Sequence, residues 1–347
     1  MSLTIALDAM GGDFAPEVVV VGAELARERH PELRFLLFGE RDVVAPLLDA
    51  HPKLAAVAAL EHTPDRVGAD ERPSQALRQG RNTSMWLAIQ AVKEERAAAA
   101  VSAGNTGALM AFAKFILRTL PGIERPAIAS MMPTRRSETV FLDLGANAEC
   151  DAENLVQFAV MGEVFARTVL GVPKPTVGLL NIGTEEGKGH ETIRNAAQML
   201  RASGLQIEFR GFVEGTDLTS GTVDVVVTDG FTGNVALKVA EGMVSLYSKF
   251  LKDAFRSSLL SRLGYLLSRP ALELLRQRVD PRRYNGAMFL GLNGIVVKSH
   301  GGTDAVGFAN AIGVAVDLVQ QKTNERITAD LTRLKRDDAS DQQARAS

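Results

Sequence analysis

Residues 98–109 read AAAVSAGNTGAL: a short apolar strand runs into a turn of Gly, Asn and Thr, and a helix begins. The same grammar returns as TIALDAMGGDFAP (4–16), LDLGANAEC (142–150), TVGLLNIGTEEGKGHET (176–192) and VDVVVTDGFTGNVALK (223–238). Strands that alternate with helices predict an α/β protein with a mostly parallel sheet. In such a sheet the loops meet at the carboxyl ends of the strands, where ligands bind. Glycine lets the backbone come close, and the helix that follows offers unpaired N–H groups and a positive dipole end. Several loops of this kind predict a phosphate or a phosphorylated substrate.

Working outward, strands are expected at 4–7, 34–38, 55–60, 98–102, 127–132, 139–142, 177–180, 206–209 and 223–227, with a turn at RRSE between the fifth and sixth. Apolar residues at helical spacing mark helices around Val18, Val21 and Leu25, at 42–50, around Met85, Ile89 and Val92, and from Leu155 to Val169 behind an Asp151 N-cap. Residues 72–81 are polar and give no periodic signal. Long helical stretches fill 234–279, and a last helix carries Ala311, Val314, Ala315 and Leu318. No composition break divides the chain, so residues 1–335 are expected to form one unit of two interleaved α/β subdomains, with a frayed polar tail at 336–347.

The chain has 347 residues, enough to bury a sizeable core. Its 46% hydrophobic and 23% charged residues are ordinary for a globular protein. A formal charge of −2 gives no case for a nucleic acid partner. Cys150 is the single cysteine, which rules out an internal disulfide and predicts a reducing cytoplasm. The start MSLTIALDAM is a strand and loop rather than a signal peptide, and no apolar run reaches the roughly 18 residues of a membrane span.

Several familiar chemistries lack their motifs. No G-x-G-x-x-G follows the first strand, and 183–189 has neither the spacing nor the closing Ser/Thr of a P-loop. No G-x-S-x-G elbow is present. The five histidines form no pair at metal-ligand spacing, and there is no Cys cluster. A kinase, a zinc hydrolase and a standard NAD dehydrogenase are therefore disfavoured, and neither a metal nor a cofactor is expected.

The candidate site residues lie in the glycine loops, and each has a structural alternative. Gly11 and Gly12 lie against a phosphate or a neighbouring loop, or only shape a turn that Asp13 caps. Asn105 and Thr106 donate to phosphate oxygens, or cap a helix. In 181–190, Asn181 and Gly183 frame an anion site, and Lys188, between two glycines, reaches an anion or a developing oxyanion. His190 shuttles a proton or orients the helix start. Asp229 is an acid/base or orienting carboxylate, and Thr232, Gly233 and Asn234 are anion donors, unless the turn is an ordinary cap. Asn293 and His300 complete the crevice, or His300 is a buried, hydrogen-bonded residue. Cys150 has no base nearby in sequence and reads as a small buried residue.

The region 246–283 is basic and amphipathic. Leu246, Phe250, Phe255, Leu259, Leu263, Leu266 and Leu267 make an apolar face beside Lys249, Lys252, Arg256, Arg262 and Arg269. Such a face lies in a membrane interface, docks an acidic partner, or packs into the core or a dimer.

Taken in order, DAMGGD, VSAGNTGALMA, LDLGAN, QFAVMG, LLNIGTEEGKG, GFVEGTDL, VVVTDGFTGNVALK and LGLNGIVVKSHGG resemble segments of the bacterial phosphate acyltransferase family, over residues 4–320. These are the acyl-[acyl-carrier-protein]:phosphate acyltransferases of phospholipid synthesis. Phe14 stands where many members carry His. The resemblance implies a three-layer α/β/α fold similar to phosphate acetyltransferases and isocitrate/isopropylmalate dehydrogenases. It implies a homodimer that moves a long-chain fatty acyl group from acyl-carrier protein to inorganic phosphate. It further implies a cytoplasmic enzyme at the inner face of the membrane, where an acyl phosphate-using glycerol-3-phosphate acyltransferase takes the product. The family's lysine in the NIG loop falls on Lys188. Three rivals remain: a phosphotransacylase using coenzyme A thioesters, a decarboxylating dehydrogenase of related fold, and a non-catalytic carrier-binding scaffold.

Overall fold

The structure is a computed structural model describing residues 3–203, 205, 207–278 and 280–332; the polar tail expected at 336–347 lies outside the described residues. The chain runs β1 (Leu3–Asp8), α1 (Glu17–Arg29), β2 (Leu33–Gly39), α2 (Arg41–Asp49), α3 (Pro52–Ala55), β3 (Ala58–His62), α4 (Pro73–Gln79), α5 (Ser84–Lys93), β4 (Ala99–Ser102) and α6 (Thr106–Leu117). It continues as β5 (Ala127–Pro133), β6 (Glu138–Leu142), α7 (Ala152–Val169), β7 (Thr176–Leu180), α8 (Glu191–Ala202), β8 (Glu208–Val213), α9 (Asp217–Ser220) and β9 (Val225–Val227). Two long helices, α10 (Gly230–Arg256) and α11 (Leu259–Arg278), precede β10 (Ala287–Leu290), β11 (Ile295–Lys298) and α12 (Ala305–Gln320).

Local signals set these bounds. Asp151 and Asn154 form a reciprocal capping box at the start of α7. The Thr83 side chain accepts from the Trp86 amide and opens α5. Two expectations shift. Pro52 starts a helical turn, so the third strand begins at Ala58 rather than at residue 55. Pro73 likewise opens α4 inside the polar stretch 72–81.

One eleven-stranded sheet, ordered β3-β2-β1-β4-β11-β10-β5-β6-β9-β7-β8, holds the chain together. Side chains alternate along each strand, so each face carries its own core. Ile5, Leu7, Phe35, Leu37 and Val101 point with α1, α7 and α12 into one cluster. Ala6, Leu36, Phe38, Ala100 and Phe141 point with α5 and α6 into the other. Helices on both faces make the fold a three-layer α/β/α sandwich.

Strand polarity decides where the glycine loops go. β3, β2, β1, β4 and β11 are parallel to one another, as are β6, β9, β7 and β8. Between them the pairings β11–β10, β10–β5 and β5–β6 are all antiparallel. Three reversals leave the two parallel sets pointing opposite ways. The loops after β1, β4 and β11 therefore leave one edge of the sheet, and the loops after β6, β7 and β9 leave the other. This corrects the expectation that all of them meet at a single edge.

Candidate active site

The first loop cluster is built on Asp8, the last residue of β1. Its side chain is buried and accepts the hydroxyls of Ser84 at 2.6 Å and Ser102 at 2.7 Å, while the Met10 amide donates at 3.3 Å. Burial raises its pKa, and those hydrogen bonds oppose the rise. The glycines here serve loop-to-loop packing. A Cβ on Gly11 would collide with the Asp8 carboxylate and lie 2.8 Å from the Gly104 amide nitrogen. Gly12 has φ +110, and its neighbour Asp13 donates its amide to Gly301 O at 2.9 Å. The loops after β1, β4 and β11 are thus laced into one surface.

Lys298 ends β11 beside Ser102 of β4. Its ammonium donates to Ala103 O at 3.3 Å and to Ser299 O. Burial pushes its pKa down to about 8; Asp13 and Asp8 push it up, and Lys238 on α10 pushes it down. Sequence reasoning missed this residue. The available signal was a lysine closing the apolar strand IVVK just before SHGG, where the amine is drawn into a strand-end crevice.

The second cluster is built on Asp143, after β6. Its buried carboxylate accepts the amides of Ile128, Gly145, Ala146 and Asn147 and the Asn147 side chain, at 2.8–3.2 Å. The start of α10 is pressed onto this turn, with the Gly230 amide on Asn147 O at 2.7 Å. Cys150 sits alongside, half-buried. Burial and the Asp143 charge push its thiol up to about 12, which makes it a poor nucleophile.

Five strand spacings separate β11 from β7, about 24 Å in the plane of the sheet. α10 starts at the second cluster, and Lys238 lies about 12 Å along it.

Most of the predicted donors are already engaged. Asn105 caps α6 through the Ala108 amide, and its Nδ2 ties down Ala69 O and Glu71 O. Asn181 binds Lys188 O and the Ile182 amide, fastening its own loop. Asp229 is the N-cap of α10, taking the Thr232 amide and hydroxyl, both at 2.8 Å. The Gly233 amide donates to Asp229 O. Asn105, Asp229 and Thr232 thus make the capping hydrogen bonds that their turns offer. Gly183 is buried against the Lys188 side chain.

Others have free polar atoms. Lys188 is exposed and makes no ion pair among the described residues. His190 is exposed at the N-cap of α8 without a side-chain capping bond. The Thr106 amide has no acceptor among the described residues, and exposed Asn234 lies beside Gly145. His300 is exposed rather than buried, with Nδ1 accepting from Gly302 N. Asn293 does not join His300. It precedes β11, at the opposite end of that strand.

Beyond Ala240, the hairpin of α10 and α11 stands apart from the core. Leu246, Phe250, Leu263 and Leu266 are exposed, and none of the described residues of α11 is buried. Packing of this apolar face into the core is therefore excluded. Phe255 and Tyr265 hold the two helices together edge to face, 5.3 Å between ring centroids. Among the described residues no helix is long and apolar enough to cross a membrane.

Comparison with known proteins agrees with this geometry. The solved structures it resembles include a phosphotransacetylase from Streptococcus pyogenes, with TM-score 0.64 and 18% identity, covering 92% of this chain and 94% of that one. The EutD phosphotransacetylase of Staphylococcus aureus matches with TM-score 0.59 over 92% of this chain and 94% of its own. A family model described as "Fatty acid synthesis protein" matches residues 3–326. The phosphate acyltransferase of Rhodospirillum centenum is 67% identical over 330 residues, 95% of this chain and 93% of the relative. That of Rhodospirillum rubrum is 62% identical over 333 residues, 96% of this chain and 95% of its own. With relatives this similar along nearly its whole length, the chain belongs to the phosphate acyltransferase family and is an acyltransferase.

Proposed function

We propose that the protein transfers a long-chain fatty acyl group from the thioester of acyl-carrier protein to inorganic phosphate, giving acyl phosphate for phospholipid synthesis. The observation that carries this reading is nearly full-length kinship with proteins named phosphate acyltransferase, joined to glycine-rich strand-end loops and a single cysteine whose thiol is not activated. A phosphate oxygen attacks the thioester carbonyl carbon, the C–S bond breaks, and the proton carried by hydrogen phosphate ends on the departing thiol. Phosphate is already an anion near neutral pH, so it needs positioning more than activation. The free thiol leaves with little acid assistance, because its pKa is near ~8.5.

In this reading Lys188 presents its exposed ammonium to the oxyanion that forms on the carbonyl. His190 and Asp229 are the proposed proton-handling groups, on the loops that follow the neighbouring strands β7 and β9. Asp229 is already the cap of α10, which supports an orienting role. The basic face of α10 and α11, with Lys249, Lys252, Arg256, Arg262 and Arg269 exposed, suits an acidic carrier protein. Its exposed leucines suit a second copy of the chain or the membrane surface, where the next acyltransferase takes the product.

Incubation with palmitoyl-carrier protein and labelled phosphate, followed by detection of acyl phosphate, tests the reaction. Preference for short acyl-coenzyme A would replace it with the phosphotransacylase reading. Lys188→Met is expected to cut kcat by about 10²–10³ with an unchanged circular dichroism spectrum. Flotation with anionic liposomes separates membrane contact from carrier docking.

A further inference from the structure

Residues 181–190, between β7 and α8, carry Lys188 in a composition that works against order. Three of the ten are glycines, at 183, 187 and 189. Glycine loses more backbone freedom on ordering than any other residue. A lysine in such a loop keeps one position only where other groups hold its backbone.

Two side chains do so. Asn181 is buried at the end of β7, with its own amide on Val213 O of β8 at 2.8 Å. Its Oδ1 accepts the Ile182 amide at 2.9 Å, and its Nδ2 donates to Lys188 O at 3.1 Å. One amide group, with an acceptor and a donor, thus ties the start of the loop to Lys188. Gly189 makes room for this tie. It has φ +84, and a β-carbon there would lie 2.0 Å from Asn181 Oδ1. Arg194, in the first turn of α8, grips the next carbonyl. Its one side-chain hydrogen bond among the described residues goes to Gly189 O.

The Lys188 amide is engaged as well, on Glu185 O at 3.0 Å. The lysine stem lies against Gly183, where a β-carbon would come 3.0 Å from Lys188 Cγ. Backbone and stem are therefore held, while the ammonium is exposed and makes no ion pair among the described residues. A charge kept in place on a fixed stem needs no reorganisation when an oxyanion forms beside it.

Resting on the reading in which Lys188 faces the oxyanion, we infer that Asn181 and Arg194 are positioning residues of the transfer, acting through Lys188 and touching no substrate. The oxyanion exists only in the transition state, so a displaced Lys188 costs kcat and spares KM.

Steady-state kinetics with palmitoyl-carrier protein and phosphate, scored per folded molecule by circular dichroism, test this. Arg194→Met, at a half-buried helical site, lowers kcat about 10-fold, short of the roughly 10²-fold that a 1 Å misplacement can cost. KM for both substrates stays within twofold. Asn181→Ala does the same, and should that buried variant not fold, Arg194→Met carries the test. In the Lys188→Met background each change lowers kcat by less than a further twofold, because a residue that acts through an ammonium has nothing to act on once the ammonium is gone. An unchanged kcat in Arg194→Met, a raised KM for either substrate, or a loss that multiplies with that of Lys188→Met overturns the inference and leaves the proposed reaction standing. Wild-type kcat in Lys188→Met alone removes the lysine from that reaction, and the inference falls with it.

Discussion

Gly233, in the first turn of α10, lies so close to the carbonyl oxygen of Asp143 that a β-carbon there would collide with it. This contact fixes the start of α10 against the Asp143 turn. Alanine at 233 would add about 1 kcal/mol of helix propensity. The overlap is with backbone, which cannot move aside, so overpacking wins. Gly233→Ala is expected to destabilise the protein by about 1–3 kcal/mol in urea unfolding. An unchanged midpoint would mean that α10 is not seated here.

Asn105 is held by the α6 helix start and by the loop at Ala69 and Glu71. Asn105→Ala should cost about 0.5–2 kcal/mol of stability as a lost cap and leave KM for phosphate nearly unchanged. Asn105→Asp keeps the cap but sets a carboxylate oxygen against the carbonyl oxygens of Ala69 and Glu71, so it should recover only part of the stability. A large rise in the phosphate KM of either variant would return Asn105 to the substrate.

The Asp8 carboxyl is raised above 3.8 by burial. The folded protein therefore holds this proton to higher pH than the unfolded chain does. Its contribution to stability is fully present below the unfolded value and is lost as pH rises through the folded value. Relative to Asp8→Asn, the wild type should lose stability as pH rises from 3.8 into the raised range. Urea midpoints measured across acid pH read this directly, and a relative gain with rising pH contradicts it.

Cys150 should be silent. With its thiol pushed up to about 12, only about 10⁻⁴ is thiolate at pH 8. Iodoacetamide is expected to leave Cys150 unmodified in the folded protein, and Cys150→Ala is expected to keep full activity. Rapid alkylation with parallel loss of turnover would place a nucleophile where the structure puts an inert thiol.

Much of the architecture was legible because the strand–turn–helix units are local. The strand at 98–102 appears as Ala99–Ser102, and the helix behind Asp151 appears as Ala152–Val169. The polarity reversal depends on long-range pairing, yet its cue was present. RRSE is too short for a parallel crossover, so β5 and β6 had to be antiparallel and the later strands inverted. β10 pairs with β11 across the short loop 291–294 and with β5, far away in sequence, and nothing local announces the pairing with β5. At the site, glycine loops were readable as loops, but not what they touch. Gly11 serves the Asp8 carboxylate and Gly104, and Asn181 serves its own loop, because hydrogen-bond partners are a tertiary property. Lys298 escaped notice because a lone lysine at a strand end carries no motif, and its burial near Asp8 and Asp13 is a tertiary property.

The central claim is that phosphate itself attacks the thioester, with no acyl group ever carried on the protein. Palmitoyl-carrier protein mixed with enzyme in phosphate-free buffer, quenched and weighed as intact protein, tests it most directly. The account predicts unmodified enzyme and no free thiol until phosphate is added, then thiol and acyl phosphate in equal amounts. An acylated enzyme mass, or thiol released before phosphate arrives, would contradict it.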